Sequence, residues 1–497
     1  MTALWRNLTM GRMLAESGRG GSTPHEATGA MREAAGRENS RWGAYSWLAP
    51  KAEMQARHAG FPGPDGAGLP GSGPPGPLAG FACAVKANLA VEGWPCDCGS
   101  RLLQGYLSPY DATVVRRLRA AGCGFLGVAA MDEFGMGSSC EFSCHGPVRN
   151  PWRPDCTPGG SSGGGAAAVA AGLAWFALGS DTGGSVRLPA HCCGVVGFKP
   201  TYGRISRFGL TAYASSLDTV GILARSVGDA ALVYQAIAGR DPHDATTAVV
   251  PVAPCPDGPP DRQWRVGVVR PGPAQALEPA AAANFTQSLG IAGKVFGKMK
   301  DVDSLIDEVD VGVYTILAFA EAASNLARFD GSLYGQRGRQ AEGGRSFGRM
   351  VRAVRSAGFG PEVKRRILLG THVLSTGYRA RTYDRAQAAR RRLIAAFAEG
   401  FSRCDLLILP TASGGAFPLG SRLADPAAMY ATDRFTVPAS LAGLPAVTIP
   451  TGLDDRGLPL SVQLVGPPWS EATLLAAAQA LEAEFRFRER KEAPWNR

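Results

Sequence analysis

The chain has 497 residues, of which 45% are hydrophobic, and carries a formal net charge of +10. That composition is typical of a globular protein with a large core, and no apolar run reaches the ~20 residues that a membrane-spanning helix needs. The positive charge permits an acidic partner such as RNA without establishing one. The eleven cysteines are dispersed, and neither Cys96-x-Cys98 nor Cys192-Cys193 has the spacing of a zinc site. We therefore predict free thiols in a reducing compartment and no metal site.

The N-terminal part is polar and then rich in glycine and proline. Its first twenty residues hold Arg6, Arg12 and Arg19 against Glu16. That pattern is weakly like a mitochondrial presequence, but an ordinary amphipathic helix fits it at least as well. Residues 61–78 have no periodic pattern and are predicted to form a surface loop.

An apolar run from Phe81 ends in Lys86. A lysine that closes a buried strand is unusual because its charge is costly to desolvate. Taken alone, a side chain that reaches the surface is the favoured interpretation. Downstream, Asp111 is predicted to cap a helix that stops at Gly122, and Phe125–Ala129 to form the next strand. This alternation of helix and strand favours an α/β sheet.

Two turns rich in glycine and serine, at 159–165 and 181–185, flank one apolar segment. We expect a short helix from Ala166–Ala171 and a buried strand from Leu173–Leu178 between them. Because no lysine follows Gly165, the first turn lacks the P-loop pattern for phosphate. Residues 159–163 match the G-x-S-x-G turn of α/β-hydrolases, but these enzymes need a later histidine, and the downstream histidines have no local signature.

A third interpretation pairs the serine turns with Lys86. A serine nucleophile needs a base, and a neutral lysine can act as one. At its reference pKa only about 0.04% of a lysine is neutral at pH 7. Burial would therefore have to lower the pKa by roughly three units, and a second serine could relay the proton.

The set formed by Lys86, Gly160-Ser161-Ser162-Gly163 and Asp181-Thr182-Gly183-Gly184-Ser185 resembles the amidase signature family. The resemblance implies that Ser185 is the nucleophile, Ser161 the bridging serine with a cis peptide bond, and Lys86 the general base. It implies an oxyanion hole of backbone N–H groups around three residues, which are Thr182, Gly183 and Gly184.

The same resemblance implies the architecture. It is an α/β fold with one large domain over 79–490, in which helices surround a central mixed β-sheet. An N-terminal helical segment over 1–60 would pack on this core. A helical, basic region around 320–400 would lie on the substrate side.

Several further motifs resemble one branch of the family, the A subunits of glutamyl-tRNA(Gln) amidotransferases; they lie at 110–115, 131–139, 146–151, 197–204, 215–218, 321–328 and 429–433. The resemblance implies a glutaminase that passes ammonia to a partner subunit for amidation of Glu-tRNA(Gln). It implies a heterotrimer with subunits B and C, ATP and Mg used by the partner subunit, no cofactor in this chain and no membrane.

The resemblance also implies a glutamine pocket. An arginine would grip the α-carboxylate, since a guanidinium can bond a carboxylate with two N–H groups. Arg366 is favoured over Arg365 for this role. Asp433 would pair with the α-amino group, and Tyr314 would line the same pocket.

Two departures from the family pattern keep alternatives open. Ala87 stands where the family usually has aspartate, and Gly165 where it usually has serine. The alternatives are a stand-alone amidase acting on other amides and a catalytically idle scaffold subunit.

Residues 335–366 hold nine basic residues against two acidic ones, which favours a solvated helix face over RNA contact. Phrases at 145–151 and 185–190 look like organellar members, which favours the mitochondrial matrix over the bacterial cytoplasm.

Overall fold

The computed structural model describes residues 4–50, 76–256, 263–272, 276–302, 305, 307, 309–334 and 346–490. One sheet of 11 strands runs through these residues in the order β1-β3-β2-β4-β6-β5-β10-β11-β9-β7-β8. The strands are β1 (Tyr45–Leu48), β2 (Ala82–Lys86), β3 (Gly124–Ala129), β4 (Phe176–Asp181), β5 (Val196–Lys199), β6 (Thr219–Ala224), β7 (Val266–Val269), β8 (Lys300–Val302), β9 (Leu406–Pro410), β10 (Ala446–Leu453) and β11 (Pro459–Val465).

Helices surround this sheet, as the predicted α/β fold with a central mixed sheet requires. They are α1 (Met10–Ser17), α2 (Pro24–Trp42), α3 (Thr113–Ala120), α4 (Gly163–Ala170), α5 (Arg187–Cys193), α6 (Val227–Ile237), α7 (Pro279–Phe296), α8 (Val309–Asn325), α9 (Phe347–Gly358), α10 (Pro361–Leu374), α11 (Tyr383–Arg403), α12 (Pro426–Tyr430), α13 (Val437–Leu441), α14 (Glu471–Phe485) and α15 (Phe487–Arg490). Within the described residues, no helix is long and apolar enough to cross a membrane.

The sheet is mixed, and its parallel part positions the site. β2 lies between β3 and β4 and runs parallel to both, whereas β4 and β6, and the β5, β10, β11 and β9 series, pair antiparallel. Val85 of β2 pairs with Leu178 of β4. Because parallel strands end at the same edge of a sheet, Lys86 is brought beside the end of β4 and the turn that follows it.

The two faces of the sheet differ in side-chain size because successive strand residues point to opposite faces. Bulky residues such as Val85, Leu178 and Ile222 pack in one cluster with α6, α7 and α14. Small residues such as Ala84 and Ala177 pack in a second cluster with α4. The small face lets α4, a helix of glycine, alanine and one valine, approach the sheet closely.

The N-terminal segment forms two helices. α2 begins with a capping box, in which the Thr23 side chain accepts from the Glu26 N–H and the Glu26 side chain accepts from the Thr23 N–H. Met10 and Met13 of α1 and Met31 of α2 are fully buried. The loop predicted at 61–78 lies outside the described residues up to position 75.

Several local predictions need correction. Asp111 does not cap α3, because its carboxylate accepts from the Glu92 N–H and pairs with Arg119. α4 begins at Gly163 rather than Ala166, and the following strand begins at Phe176 rather than Leu173. Both boundaries differ because the glycines of the turn are already helical and residues 171–175 form the connection.

Candidate active site

Lys86 is the last residue of β2, and its side chain is buried with 1% of its surface exposed. Its Nζ donates to Ser161 Oγ at 2.8 Å, to Ser180 Oγ at 2.9 Å and to the Ser180 carbonyl oxygen at 3.3 Å. Burial lowers the pKa of Lys86 to about 8, although the carboxylates of Asp132 and Asp181 act in the opposite direction. The structure therefore rules out the surface-reaching interpretation and places a lysine that is partly neutral near pH 7 against a serine hydroxyl.

The two serine turns meet at the end of β2. The Gly160–Ser161 peptide bond is cis, as the family resemblance implied. The N–H of Ser162 donates to the Ser185 carbonyl oxygen at 3.1 Å, which ties the second turn to the first. Ser161 is 1% and Ser185 8% exposed. Lys86, Ser161 and Ser185 are thus brought together from three separate segments of the chain.

The turn at 182–185 faces a wall made by α8 and the region after α12. Thr182 Oγ1 and the Tyr314 hydroxyl lie 3.1 Å apart. A Cβ added at Gly183 would come within 2.8 Å of the Tyr314 ring, and one at Gly184 would collide with the Thr436 hydroxyl. Gly184 has a φ of 153°. Glycine is therefore required at both positions by this close approach.

Arg366 lies in α10 and is 4% exposed. Its Nε donates to Glu362 Oε1 at 2.8 Å and one terminal nitrogen donates to the Tyr213 hydroxyl at 2.8 Å. The rings of Phe319 and Tyr430 stack near its guanidinium. Arg365 pairs with the same Glu362, but from a side chain that is 39% exposed. Of the two arginines weighed from the sequence, Arg366 is the one that points inward.

Only one of the two carboxylate oxygens of Asp433 is hydrogen-bonded. Oδ2 accepts from the Ser138 hydroxyl at 2.6 Å, whereas Oδ1 is buried without a hydrogen-bond partner. A Cβ added at Gly184 would lie 3.0 Å from this Oδ1, so the oxygen faces the turn that carries Ser185. Burial raises the pKa of Asp433 to about 7. An unpaired buried carboxylate oxygen is costly, and a bound cationic group would satisfy it.

Several residues of the site were not singled out from the sequence. Ser180 contacts Lys86 with both its hydroxyl and its carbonyl, and Asn88 donates to the same hydroxyl at 3.0 Å. Asp132 accepts from the Cys140 and Phe142 N–H groups, and burial raises its pKa to about 6. The signal for Asp132 was its place in the motif at 131–139, but Ser180 has no signal apart from its position at the end of a buried strand.

The two departures from the family pattern are accommodated in the structure. Ala87 keeps its backbone bonds, donating to the Ala129 carbonyl and accepting from the Cys98 N–H. A Cβ added at Gly165 would lie 3.0 Å from the Ala177 Cβ and 3.3 Å from Leu223. Glycine at 165 therefore fits the tight contact between α4 and the sheet, and neither position touches the Lys86 amine.

The eleven cysteines, all within the described part of the chain, are free thiols. Apart from the site, the described residues include one group of three side chains able to ligate a metal, which are Asp97, Cys144 and His145. None of the residues predicted for the active site belongs to it.

Comparison with known proteins identifies the class to which this fold and site belong. The profile of the Amidase family matches residues 31–475. The chain overlays on the peptide amidase of Stenotrophomonas maltophilia with a TM-score of 0.78 and 28% identity, covering 99% of each chain. The chain therefore belongs to the amidase family.

Within the family, the similarity is strong to one kind of protein. The chain is 47% identical to the A subunit of the glutamyl-tRNA(Gln) amidotransferase of Moorella thermoacetica over 84% of this chain and 85% of the relative. It overlays on the crystal structure of the corresponding protein from Thermotoga maritima with a TM-score of 0.77 and 34% identity, covering 96% and 95% of the two chains. These similarities place it with the glutamyl-tRNA(Gln) amidotransferase A subunits. Because these relatives are bacterial, they give no support to the mitochondrial location predicted above.

Proposed function

We propose that this chain is the glutaminase subunit of a glutamyl-tRNA(Gln) amidotransferase, which hydrolyses glutamine and supplies ammonia for the ATP-dependent conversion of Glu-tRNA(Gln) to Gln-tRNA(Gln). The observation that carries the proposal is the buried Lys86 amine, 2.8 Å from Ser161 Oγ and beside the turn that holds Ser185. The relatives named above are A subunits, and the partners expected from them are subunits B and C. ATP and Mg would be used by the partner subunit.

In the proposed reaction Ser185 Oγ attacks the side-chain amide carbon of glutamine. Its proton passes through the Ser161 hydroxyl to neutral Lys86. The backbone N–H groups of Thr182, Gly183 and Gly184 would stabilise the negative charge that forms on the amide oxygen. The C–N bond then breaks, the proton returns to the leaving nitrogen, and ammonia departs. Water attacks the resulting ester on Ser185 with Lys86 again as the base, and glutamate is released.

Selection of a free amino acid would rest on Arg366 and Asp433. Arg366 uses two of its five N–H donors in its bonds to Glu362 and Tyr213, so others remain for a carboxylate. The unpartnered Oδ1 of Asp433 suits a protonated α-amino group. Tyr314 lies against the same turn and would close the pocket. A stand-alone amidase for uncharged amides needs neither of these charges, so the charged pair favours the glutaminase.

The proposed function is tested with the chain reconstituted with its B and C partners. Conversion of Glu-tRNA(Gln) to Gln-tRNA(Gln) is measured for wild type and Ser185→Ala, each with glutamine or with ammonium as the nitrogen donor. We expect Ser185→Ala to lose glutamine-dependent conversion by a factor of about 10³ or more and to keep ammonium-dependent conversion. Unchanged glutamine-dependent turnover in Ser185→Ala would support the scaffold alternative. Failure of the wild type with both donors, with hydrolysis of simple amides, would make it a stand-alone amidase.

A further inference from the structure

Three side chains with metal-binding chemistry converge outside the active site. The ligand atoms of Asp97, Cys144 and His145 all lie within 4.8 Å of one another. His145 Nε2 and Asp97 Oδ2 are 2.7 Å apart. No spacing rule finds this group, because Asp97 lies 47 positions before Cys144 and only the fold brings the two segments together.

Hydrogen bonds donated by backbone N–H groups hold the two loops that carry the cluster. Asp97 Oδ1 accepts from the Gly99 N–H at 2.9 Å, so Oδ2 is left to face His145. The Cys144 N–H donates to the Gly99 carbonyl oxygen at 2.8 Å, which joins the loop at 96–100 to the loop at 143–146. The His145 N–H donates to Ser143 Oγ at 3.3 Å. The donor atoms are therefore positioned before any ligand arrives.

The exposure of the cluster suits an ion that enters from solvent. Asp97 is buried, Cys144 is half-buried and His145 is exposed. Cys144 also lines a surface cavity together with Gly99 and Ser143. An ion can thus reach the thiol from this cavity and the imidazole from solvent.

We propose that Asp97, Cys144 and His145 form a binding site for a thiophilic divalent cation of the Zn²⁺ class. A thiolate, an imidazole and a carboxylate are ligands that zinc accepts in a tetrahedral site, whereas Mg²⁺ and Ca²⁺ take oxygen ligands. Three protein ligands leave the fourth position for water. The cation would replace the direct contact between His145 and Asp97 and bond to both.

A bound cation would also brace the segment that carries the proposed base. The Cys98 N–H donates to the Ala87 carbonyl oxygen at 3.1 Å, and Ala87 follows Lys86. The cation would therefore tie the loop at 143–146 to the loop that supports the end of β2. It would act on the stability of this part of the fold and take no part in the reaction.

The experiment uses the untagged full chain, treated with a chelator and then loaded with Zn²⁺ or with Co²⁺ alone. We expect about one equivalent of zinc to survive dialysis, and the Co²⁺ form to show thiolate-to-metal charge-transfer absorption. Cys144→Ser should abolish that absorption, and Asp97→Asn or His145→Gln should weaken zinc binding by tenfold or more. The melting temperature of the wild type should rise with added zinc, and that of His145→Gln should not.

Matched controls are Cys255→Ser, because Cys255 is likewise incompletely buried, and His372→Gln, because His372 is likewise exposed. Both should bind the metal as the wild type does. The proposal is overturned if the wild type retains no zinc, or if the cobalt absorption is the same in Cys144→Ser. In either case Asp97 and His145 form only an ion pair. If Cys144→Ser does not fold, the surface variant His145→Gln gives the same decision.

Discussion

Lys86 Nζ lies among the uncharged oxygens of Ser161 and Ser180, and removal of water from the amine is the largest influence on its protonation. With a pKa of about 8, roughly a tenth of the lysine is neutral at pH 7. The reference lysine is only ~0.04% neutral at that pH. Burial is thus the influence that makes Lys86 usable as a base near neutral pH.

The first prediction concerns pH. Because only neutral Lys86 can accept a proton, kcat/KM for glutamine should rise about 50-fold between pH 6 and pH 8 and level off above about pH 9. The initial rate of ammonia release at subsaturating glutamine measures this. A profile that stays flat down to pH 5 would contradict a lysine base.

Lys199 is the matched control for this prediction. It is also buried at the end of a strand, and burial lowers its pKa to about 7. Its Nζ donates to the Pro200 carbonyl oxygen rather than to an active-site serine. Lys199→Met should therefore keep the rise of kcat/KM with a midpoint near pH 8, whereas Lys86→Met should lose glutaminase activity. If the rise of kcat/KM with pH disappeared in Lys199→Met, the titrating group would be Lys199 rather than Lys86.

The second prediction concerns the two neighbouring arginines. Arg366→Ala removes the buried guanidinium that is proposed to bind the glutamine α-carboxylate, so kcat/KM for glutamine should fall about 10²–10³-fold, as loss of a charged hydrogen-bond partner implies. Arg365→Ala removes a partly exposed partner of the same Glu362 and should change kcat/KM less than about threefold. Glutaminase kinetics on both variants, with melting temperatures to check folding, decide between them. Equal losses would place the carboxylate site elsewhere.

At the scale of elements, α4 owes its position to small residues. Gly163, Gly164 and Gly165 begin the helix, and all of its residues are buried. Glycine disfavours a helix by about 1 kcal/mol relative to alanine, so propensity does not explain its presence. The reason is contact: a Cβ at Gly164 would overlap backbone atoms of Ala44 and Ala130. The close approach places the turn of Ser161 over the end of β2.

The third prediction uses this contact. Gly164→Ala should lower the free energy of unfolding by about 1–3 kcal/mol, because backbone atoms cannot move away from the added methyl group. Gly290→Ala is the control, since Gly290 lies in α7 with no atom within 4 Å of an added Cβ, and it should stabilise the chain by about 0.5–1 kcal/mol. Denaturant unfolding measures both changes. A rise in stability for Gly164→Ala would show that the contact is loose.

At the scale of the whole molecule, Arg187 joins strand β4 to the C-terminal half of the chain. Its guanidinium pairs with Asp181 of β4 at 3.0 Å, and both side chains are fully buried. It also donates to the Thr436 carbonyl, to Ser440 Oγ in α13 and to Gln463 Oε1 in β11. Burial alone would raise the pKa of Asp181, but Arg187 holds that pKa below its ordinary value. The turn that carries Ser185 is thereby tied to the C-terminal half of the chain.

The fourth prediction follows from this ion pair. Arg187→Met leaves the Asp181 carboxylate buried without its cation, and should cost about 3–5 kcal/mol in the free energy of unfolding. Arg153→Met, which breaks an exposed ion pair with Asp155, should leave the melting temperature unchanged. Thermal and urea unfolding of the two variants provide the comparison. A small effect of Arg187→Met would mean that Asp181 finds another partner.

Sequence motifs and local patterns differed in what they could predict. Lys86, Ser161 and Ser185 were named from the sequence because the two glycine-rich turns and the lysine together resemble the amidase signature motif, and the structure brings these three residues together. Asp111 was given a capping role that it does not have, since its carboxylate finds Glu92 and Arg119 in the folded chain. Ser180 escaped notice because a serine in a buried strand has no local signal.

The sequence by itself determined the family and the alternation of strands and helices, and it supplied the candidate residues of the active site. It could do so because these features depend on neighbours along the chain or on motifs shared with relatives. Only the tertiary structure decided that Arg366 rather than Arg365 points inward, that Asp433 Oδ1 lacks a partner, and that Asp97 meets His145. Burial, and with it the pKa of Lys86, depends on segments far apart in the chain, which meet only when the 11 strands pair.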